Sequence, residues 1–178
     1  MNDVFIRAFP ETVLRQRMFE LCLERWKMDP LAWIVTLPKE LKKDLSAQRH
    51  WADSHSKSEL YIFTDDDCLI VGKDWIARGL EAMHKCPEYG IGATLSLIEG
   101  ENVAKGEGIM YPMHMVGHPM FVRKGLLADV QIPDWPRECA HIQLHIERKG
   151  FREGIINGLR HNHLGHGFSG TPGHDFGA

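Results

Sequence analysis

The stretch YIFTDDDCLI, Tyr61–Ile70, dominates the interpretation of this sequence. It opens with the apolar and β-branched residues of a buried strand and continues into three adjacent carboxylates, Asp65, Asp66 and Asp67. Adjacent carboxylates repel one another and lose solvation when they are buried, so a cation or a reaction is needed to compensate them. Alternate side chains of an extended segment point the same way, and hard oxygen ligands suit Mg²⁺ or Mn²⁺. Asp65 and Asp67 are therefore candidate ligands of one cation, and a solvated acidic turn with a helix-capping role is the alternative.

Strand and helix patterns alternate on both sides of this acidic triplet. Buried-strand patterns cover residues 3–9, 31–37, 59–64 and 89–98, and amphipathic helix patterns cover 11–26, 72–86 and 134–150. Asp134 is the expected N-cap of the last helix. This alternation predicts an α/β fold with a mostly parallel sheet. Ligands of such sheets bind beyond the carboxyl ends of the strands, which is where the triplet lies.

The C-terminal segment HNHLGH contains His161, His163 and His166. Neutral imidazole can complete the ligand shell of Mn²⁺ or Zn²⁺, so these residues are candidate metal ligands, and surface histidines that bind nothing are the alternative. Residues 99–116 are predicted to form a long loop that serves as a wall or lid for an acceptor. We expect a single domain over residues 1–168 and a Gly-rich tail over residues 169–178.

Composition narrows the class of protein. The 178 residues suit one domain, and an apolar share of 43%, a charged share of 25% and a net charge of −3 are ordinary for a soluble globular protein rather than a strongly basic nucleic-acid binder. The four cysteines show no C-x-x-C pair, which favours a reduced, cytoplasmic protein. No signal peptide is indicated, and no apolar run approaches the roughly 20 residues that a membrane span needs.

The segment QRHWADSHSKSELYIFTDDD, residues 48–67, resembles a hallmark of family-two glycosyltransferases with the GT-A fold. Arg49 occupies the A-R-N motif of that family, and Asp65 and Asp67 form its D-x-D. Further similarities are a glycine before a basic strand end in GHPMFVRKGLL, an acidic pair opening a helix in ECAHIQLHIERKGF, and a metal-binding histidine at His161 or His163. The resemblance implies a GT-A (Rossmann-like) three-layer α/β/α sandwich with a mostly parallel central sheet.

The resemblance also implies a function and a set of site residues. GT-A enzymes transfer a sugar from a nucleotide-diphosphate sugar, and a cation such as Mn²⁺ or Mg²⁺ neutralises the leaving diphosphate. The expected donor-binding residues are Arg7, Phe9, Glu11, Arg49, Asp65 and Asp66. The expected metal ligands are Asp67, Asp65, His161 and His163.

The expected general base departs from the family pattern. In inverting members the Asp of the acidic pair removes the acceptor proton, but Cys139 stands at that position here. Glu138 and Asp134 are the candidate catalytic residues, because either carboxylate could accept that proton. The resemblance favours inversion, whereas a retaining mechanism would not need this base.

Two other functions remain open at this point. A metal-dependent phosphohydrolase or nucleotidyltransferase would also use an acidic triplet with histidines, and a degenerate GT-A binding module without catalysis would explain Cys139. The acceptor is unidentified, and a glycan, a lipid, a protein, a small molecule or a modified nucleic acid is compatible with the sequence.

Overall fold

A computed structural model of the chain describes residues 1–96, 109–110, 119–133 and 138–164. Strands and helices alternate along these residues, which confirms the predicted α/β class. Their bounds are β1 Asn2–Arg7, α1 Val13–Lys27, β2 Ala32–Thr36, a 3₁₀ turn Lys39–Leu41, α2 Leu45–His55, β3 Leu60–Asp65, β4 Cys68–Val71, α3 Trp75–Lys85, β5 Tyr89–Ser96, β6 Ile109–Met110, β7 Met120–Arg123, α4 Glu138–Arg148 and β8 Arg152–His163.

The described strands form one mixed sheet in the order β2-β1-β3-β7-β5-β8-β4, with β6 paired to β8 beside this path. Strand β1 is parallel to β2 and β3, and β5 is parallel to β8. The other four pairings, β3–β7, β5–β7, β4–β8 and β6–β8, are antiparallel. The expectation of a mostly parallel sheet therefore fits the β2-β1-β3 part and not the whole sheet. Apolar patterns predict strands but carry no information on their direction after a long connection.

Two apolar clusters enclose the inner strands. Val4 and Ile6 of β1 lie in one cluster, together with residues of α1 and α3, whereas Phe5 lies in the other, together with residues of α2 and α4. A strand that is covered on both faces is apolar at nearly every position. This explains why the runs before Arg7 and before Asp65 have the sequence of buried strands.

The amino ends of β1 and β3 are joined by the buried carboxylate of Asp3. Its Oδ2 accepts hydrogen bonds from the backbone N–H groups of Lys57 (2.7 Å) and Ser58 (3.0 Å), and from the hydroxyls of Ser56 and Ser58. All four donors belong to the segment that leads into β3. The contact fixes this connection and uses no charged partner.

Strand β8 is bent, and the bend determines where its histidines lie. The register with β5 passes from Ala93↔Ile155 to Leu95↔Arg160, so two steps along β5 face five along β8. Gly158 within this bulge has a φ of +81°, a conformation that glycine adopts without a steric cost. After the bend, β8 pairs with β4 directly beyond the acidic triplet.

Some predictions fall outside the described residues. They concern Asp134 as N-cap and base, His166, the tail 169–178 and all of the loop 99–116 except β6. Helix α4 is described from Glu138 onward. Within the described ranges, none of the helices is both long enough and apolar enough to cross a bilayer.

Candidate functional site

The acidic triplet lies at the carboxyl ends of β1 and β3, as the sequence predicts. Arg7 is the last residue of β1, Asp65 is the last residue of β3, and the two are register partners in the parallel pair. Arg7 Nε donates a hydrogen bond of 2.7 Å to Asp65 Oδ1. The predicted donor-binding residues Arg7 and Asp65 are thus brought together by the end of the sheet itself.

The triplet is not extended beyond Asp65, which overturns the argument from strand alternation. Asp66 and Asp67 form the turn between β3 and β4, and each is only 2% exposed. Arg15 of α1 binds both of them, with Nη2 at 2.8 Å from Asp66 Oδ1 and Nη1 at 2.8 Å from Asp67 Oδ2. Asp65 and Asp67 therefore face different cationic partners, and the period-two rule does not apply inside a turn.

His163 is the histidine that meets the triplet. The β4–β8 ladder pairs Cys68 with His163, and His163 Nε2 lies 3.1 Å from Asp67 Oδ1. The backbone N–H of Leu164 donates to the backbone oxygen of Asp67 at 2.9 Å and fixes this approach. His161 is buried, and its Nδ1 lies 2.9 Å from Thr94 Oγ1.

Glu138 and Arg49 extend the network to two further helices. Arg7 Nη1 donates to Glu138 Oε2 at 3.1 Å, and Arg49 Nη2 donates to Glu138 Oε1. Arg49 is fully buried, and its guanidinium carbon lies 3.5 Å from the centroid of the Phe63 ring. The predicted base and the predicted donor-binding arginines form one chain of alternating charges, in which both carboxylate oxygens of Glu138 accept from guanidiniums.

Burial and neighbouring charges shift the pKa values of this network. Burial raises the pKa of the Asp66 carboxyl to about 6, because the charges of Arg15 and Arg7 do not fully offset it. Burial also acts to raise the pKa of Asp67, but the hydrogen bond and charge of His163, with Arg15, outweigh it and lower that pKa. Burial opposes the charged form of Arg7, yet Asp65 and Glu138 raise its pKa above the ordinary value, so Arg7 stays charged.

Two of the four predicted metal ligands belong to a group of donor atoms that could hold one cation. Donor atoms of Asp67, Cys68 and His163 all lie within 4.8 Å of one another, and this is the ligand group found among the described residues. Asp65 pairs with Arg7, and His161 contacts Thr94. These two predicted ligands therefore lie outside that group. Asp67 and His163 are therefore the two predicted ligands that this group contains.

The remaining predicted residues lie around this network. Phe9 is half-buried against the cluster that contains α2 and α4, and Glu11 is exposed and paired with Lys42. Burial, and next the charge of Glu138, raise the pKa of Cys139 to about 11, so its thiol is neutral at pH 7. Asp134 cannot be placed, because residues 134–137 are not described.

Two residues of this site were missed by sequence reasoning. Arg15 lies in the first turn of α1, directly after β1, so it is at the carboxyl edge of the sheet. That placement was available from the strand–helix order. Cys68 follows the triplet immediately, but its contact with His163 depends on the β4–β8 pairing, which the sequence does not reveal.

A further buried acid, Glu153 of β8, is not bound in this way. Its side chain is 2% exposed, and within the described part of the chain its Oε1 has no hydrogen-bond partner. Burial, with the charge of Glu147 nearby, raises the pKa of Glu153 to about 8. Glu153 is therefore mostly neutral at pH 7.

Comparison with known proteins gives a likeness in structure alone. No known protein family and no curated protein matches the sequence. The crystal structure of S. aureus TarS 1–349 has a TM-score of 0.56 at 12% identity, over 90% of this chain and 60% of that chain. A197 from STIV has a TM-score of 0.53 at 16% identity, over 92% of this chain and 85% of that chain. The chain shares their overall fold.

A second structure of S. aureus TarS has a TM-score of 0.55 at 12% identity, over 90% of this chain and 36% of that chain. TarS is a glycosyltransferase, so the likeness supports the GT-A-like fold that the sequence resemblance implies. This chain spans 60% of the shorter TarS chain and 36% of the longer one, so much of TarS has no counterpart in it.

Proposed function

We propose that this chain is a glycosyltransferase of three-layer GT-A architecture that moves a sugar from a nucleotide-diphosphate sugar to an acceptor. The observation that carries the proposal is the network of Arg7, Arg15, Asp65, Asp67 and Glu138 at the carboxyl ends of β1 and β3. Ligands of open α/β sheets bind at this edge. The fold that surrounds the network is shared with TarS, which is a glycosyltransferase.

The arginines supply the chemistry that a diphosphate needs. Arg7, Arg15 and Arg49 present planar guanidiniums, which bind phosphate oxygens in a bidentate manner. Their carboxylate partners hold them at one edge of the sheet without help from a ligand. A donor diphosphate would compete with these carboxylates for the same guanidiniums, and Phe9 and Glu11 would border the nucleotide.

A divalent cation belongs to this proposal. The sequence resemblance implies Mn²⁺ or Mg²⁺, and such a cation supplies neutralisation of the charge on the leaving diphosphate. Asp67 with His163 would hold it, since these side chains lie 3.1 Å apart. Asp65, Asp66 and His161 would border the cation and the donor.

Glu138 is the proposed base of an inverting transfer, with Asp134 as the second candidate. In the structure, Arg7 and Arg49 donate to the two oxygens of Glu138. We expect the donor diphosphate to draw these guanidiniums away, because a phosphate offers more negative charge than one carboxylate. Glu138 then accepts the proton of the acceptor hydroxyl.

A non-catalytic binding module is the second candidate. It is favoured by Cys139, whose thiol is neutral at pH 7 because its pKa is raised to about 11, and by the double guanidinium clamp on Glu138. Such a module would bind the nucleotide sugar through the same arginines and would not turn it over.

The test measures thermal stabilisation of the full chain by UDP, GDP, CDP, dTDP and their sugars, with and without a divalent cation. One nucleotide is expected to raise the Tm in a cation-dependent way, and Asp67→Asn is expected to abolish that response. Asp3→Asn is the matched control, because it neutralises a buried carboxylate at the opposite ends of β1 and β3. It should keep the response from a lower starting Tm.

Turnover then separates the candidate functions. Release of the nucleoside diphosphate only with an acceptor supports the transferase, whereas release of a nucleoside monophosphate and a sugar phosphate without an acceptor supports a phosphohydrolase. Binding without release supports the binding module. No response to any nucleotide rejects the donor site.

A further inference from the structure

The ligand group at the triplet contains a thiol, which the predicted hard-cation site does not. Asp67 Oδ1 lies 3.1 Å from His163 Nε2 and 3.9 Å from Cys68 Sγ, and one donor atom from each residue lies within 4.8 Å of the other two. Oxygen, nitrogen and sulfur donors therefore converge on one small volume. The second oxygen of Asp67, Oδ2, is bound by Arg15 and does not take part.

These separations are close to those of a tetrahedral zinc site. With Zn–S of about 2.3 Å and Zn–N or Zn–O of about 2.0 Å, tetrahedral ligands are about 3.3 Å apart for nitrogen and oxygen and about 3.5 Å apart for sulfur and oxygen. The observed 3.1 Å and 3.9 Å differ from these values by a few tenths of an ångström. The third separation, between Cys68 Sγ and the His163 ring nitrogen, is within 4.8 Å, so the three atoms have to draw together to reach bonding distance.

The backbone holds the three ligands in register. Cys68 and His163 are direct partners in the antiparallel β4–β8 ladder, so their side chains lie on the same face of the sheet. The hydrogen bond from Leu164 N to Asp67 O ties the preceding turn to the same strand. Cys68 and Asp67 are buried, whereas the His163 side chain is 25% exposed, so the group opens to solvent on one side.

We propose that Asp67, Cys68 and His163 bind a borderline-soft divalent cation of the Zn²⁺ class, with Cys68 as a thiolate ligand and the fourth position open. Zn²⁺ replaces the proton on Cys68 Sγ, and that proton leaves to solvent. Three protein ligands with one open position are the arrangement of reactive zinc sites, whereas Mg²⁺ and Mn²⁺ favour oxygen ligands. The inference deepens the proposed function and rests on it for the role of the cation as a diphosphate partner.

The test titrates the full chain with Zn²⁺, Co²⁺, Mn²⁺ and Mg²⁺ in the absence of nucleotide. Zn²⁺ is expected to bind on the order of 100-fold more tightly than Mn²⁺. Co²⁺ is expected to give the near-ultraviolet band of sulfur-to-cobalt charge transfer, a direct signature of a thiolate ligand. Cys68→Ser should lose that band and most of the preference for Zn²⁺, with little change in the weak binding of Mn²⁺.

Cys22→Ser is the matched control. Cys22 is also buried and close to the triplet, since the charges of Asp67 and Asp66 add to the burial that raises its pKa, but it is outside the donor group. It should keep both the band and the affinity. If Cys68→Ser does not fold, a wild-type Co²⁺ spectrum without the band still overturns the proposal.

Three results would overturn the proposal: no charge-transfer band in the wild type, equal Zn²⁺ affinity in the wild type and Cys68→Ser, or tighter binding of Mn²⁺ than of Zn²⁺. The result for the thiolate site can be distinguished from the result for the proposed transferase function. A nucleotide response that requires Mn²⁺, with no Zn²⁺ binding, keeps the transferase and rejects the thiolate site. Zn²⁺ binding through Cys68 without a nucleotide response does the reverse.

Discussion

The parallel strands β1 and β3 bury carboxylates at both of their ends, but the two ends hold them in different ways. At the amino end, Asp3 accepts from backbone N–H groups and hydroxyls of residues 56–58. At the carboxyl end, the triplet is bound by the guanidiniums of Arg7 and Arg15, which come from β1 and α1.

The difference distinguishes an acid held by neutral donors of one connection from acids held by charged side chains of other elements. The donors to Asp3 are short, neutral and part of one connection, and four of them converge on its Oδ2. The guanidiniums are long and charged, and a phosphate anion or a divalent cation can compete for each half of an ion pair. We therefore expect substitutions at the amino end to change stability and substitutions at the carboxyl end to change function.

The largest expected effect is that of Asp67→Asn on sugar transfer. The loss of one charge at the proposed cation site should lower turnover by roughly 100- to 1,000-fold, because electrostatic stabilisation of the leaving diphosphate is weakened. The free energy of unfolding should also fall, because Asp67 is buried and its carboxylate is paired with Arg15 and His163, so turnover is expressed per folded protein. Turnover with the best donor and chemical denaturation of the same preparation measure the two effects, and a large loss of stability with normal turnover would contradict the comparison.

Asp3→Asn should lower stability and leave function intact. Four donors converge on one charged oxygen of Asp3, and hydrogen bonds to a charged group are stronger than those to a neutral amide. We expect the free energy of unfolding to fall by about 2 kcal/mol, with nucleotide binding preserved in the folded protein. Urea denaturation measures the first and thermal stabilisation by the nucleotide measures the second. A variant that keeps its stability and loses its ligand would refute the assignment of Asp3 as structural.

Glu153→Gln tests a third situation, a buried acid without such donors. Within the described residues, Glu153 Oε1 accepts neither from a neutral donor nor from a guanidinium. Its pKa is raised by burial from the ordinary 4.5 to about 8, so the unfolded chain ionises first as the pH rises and the wild type loses stability between these two values. The variant lacks this loss. It should be more stable than the wild type by about 2 kcal/mol at pH 6 and about 4 kcal/mol at pH 8, and equal to it below about pH 4.5.

Urea denaturation at several pH values between 4 and 8.5 measures this difference. Glu88→Gln is the control, since Glu88 is an exposed acid near the start of β5. A stability difference that does not grow with pH would show that Glu153 is ionised in the folded protein.

The smallest expected effect is that of Arg49→Lys. Lysine keeps the charge that faces Glu138, but it loses the stacking on Phe63 and the planar fork of donors. We expect stability to fall by about 1 kcal/mol and the response to nucleotide to weaken several-fold. Lys57→Arg at the amino end is the control, because Lys57 gives Asp3 its backbone N–H and should tolerate the change. An equal loss of nucleotide binding in both variants would remove the distinction between the two ends.

The sequence was sufficient to predict the parts of the fold that depend on local patterns. The apolar runs before Arg7 and Asp65 predict β1 and β3, and the placement of the triplet at the end of a strand predicts a charged edge of the sheet. The contact between Arg7 and Asp65 follows from two parallel strands that end together. The mixed direction of the sheet was not predictable, since β7 and β4 have the same kind of apolar pattern as a parallel strand.

The candidate site was predictable in its residue types and not in its pairings. Glu138, Arg49 and Arg7 were each selected for a different role, and the structure joins them in one ion-pair network. Cys68 was not selected, because its proximity to His163 arises from a strand pairing across most of the chain length. Long-range pairings of this kind depend on the whole sheet, and periodicity in a short window contains no information about them.

Strand β8 has a consequence for the order in which the molecule assembles. It pairs with β5, β4 and β6, so three earlier strands gain a hydrogen-bonded neighbour only when β8 is added. During synthesis, the acidic triplet leaves the ribosome long before His163, and until then Asp67 lacks the histidine that contacts it. The candidate site is therefore complete only after β8 has left the ribosome, and a nascent chain stalled before residue 152 should lack the histidine contact to Asp67.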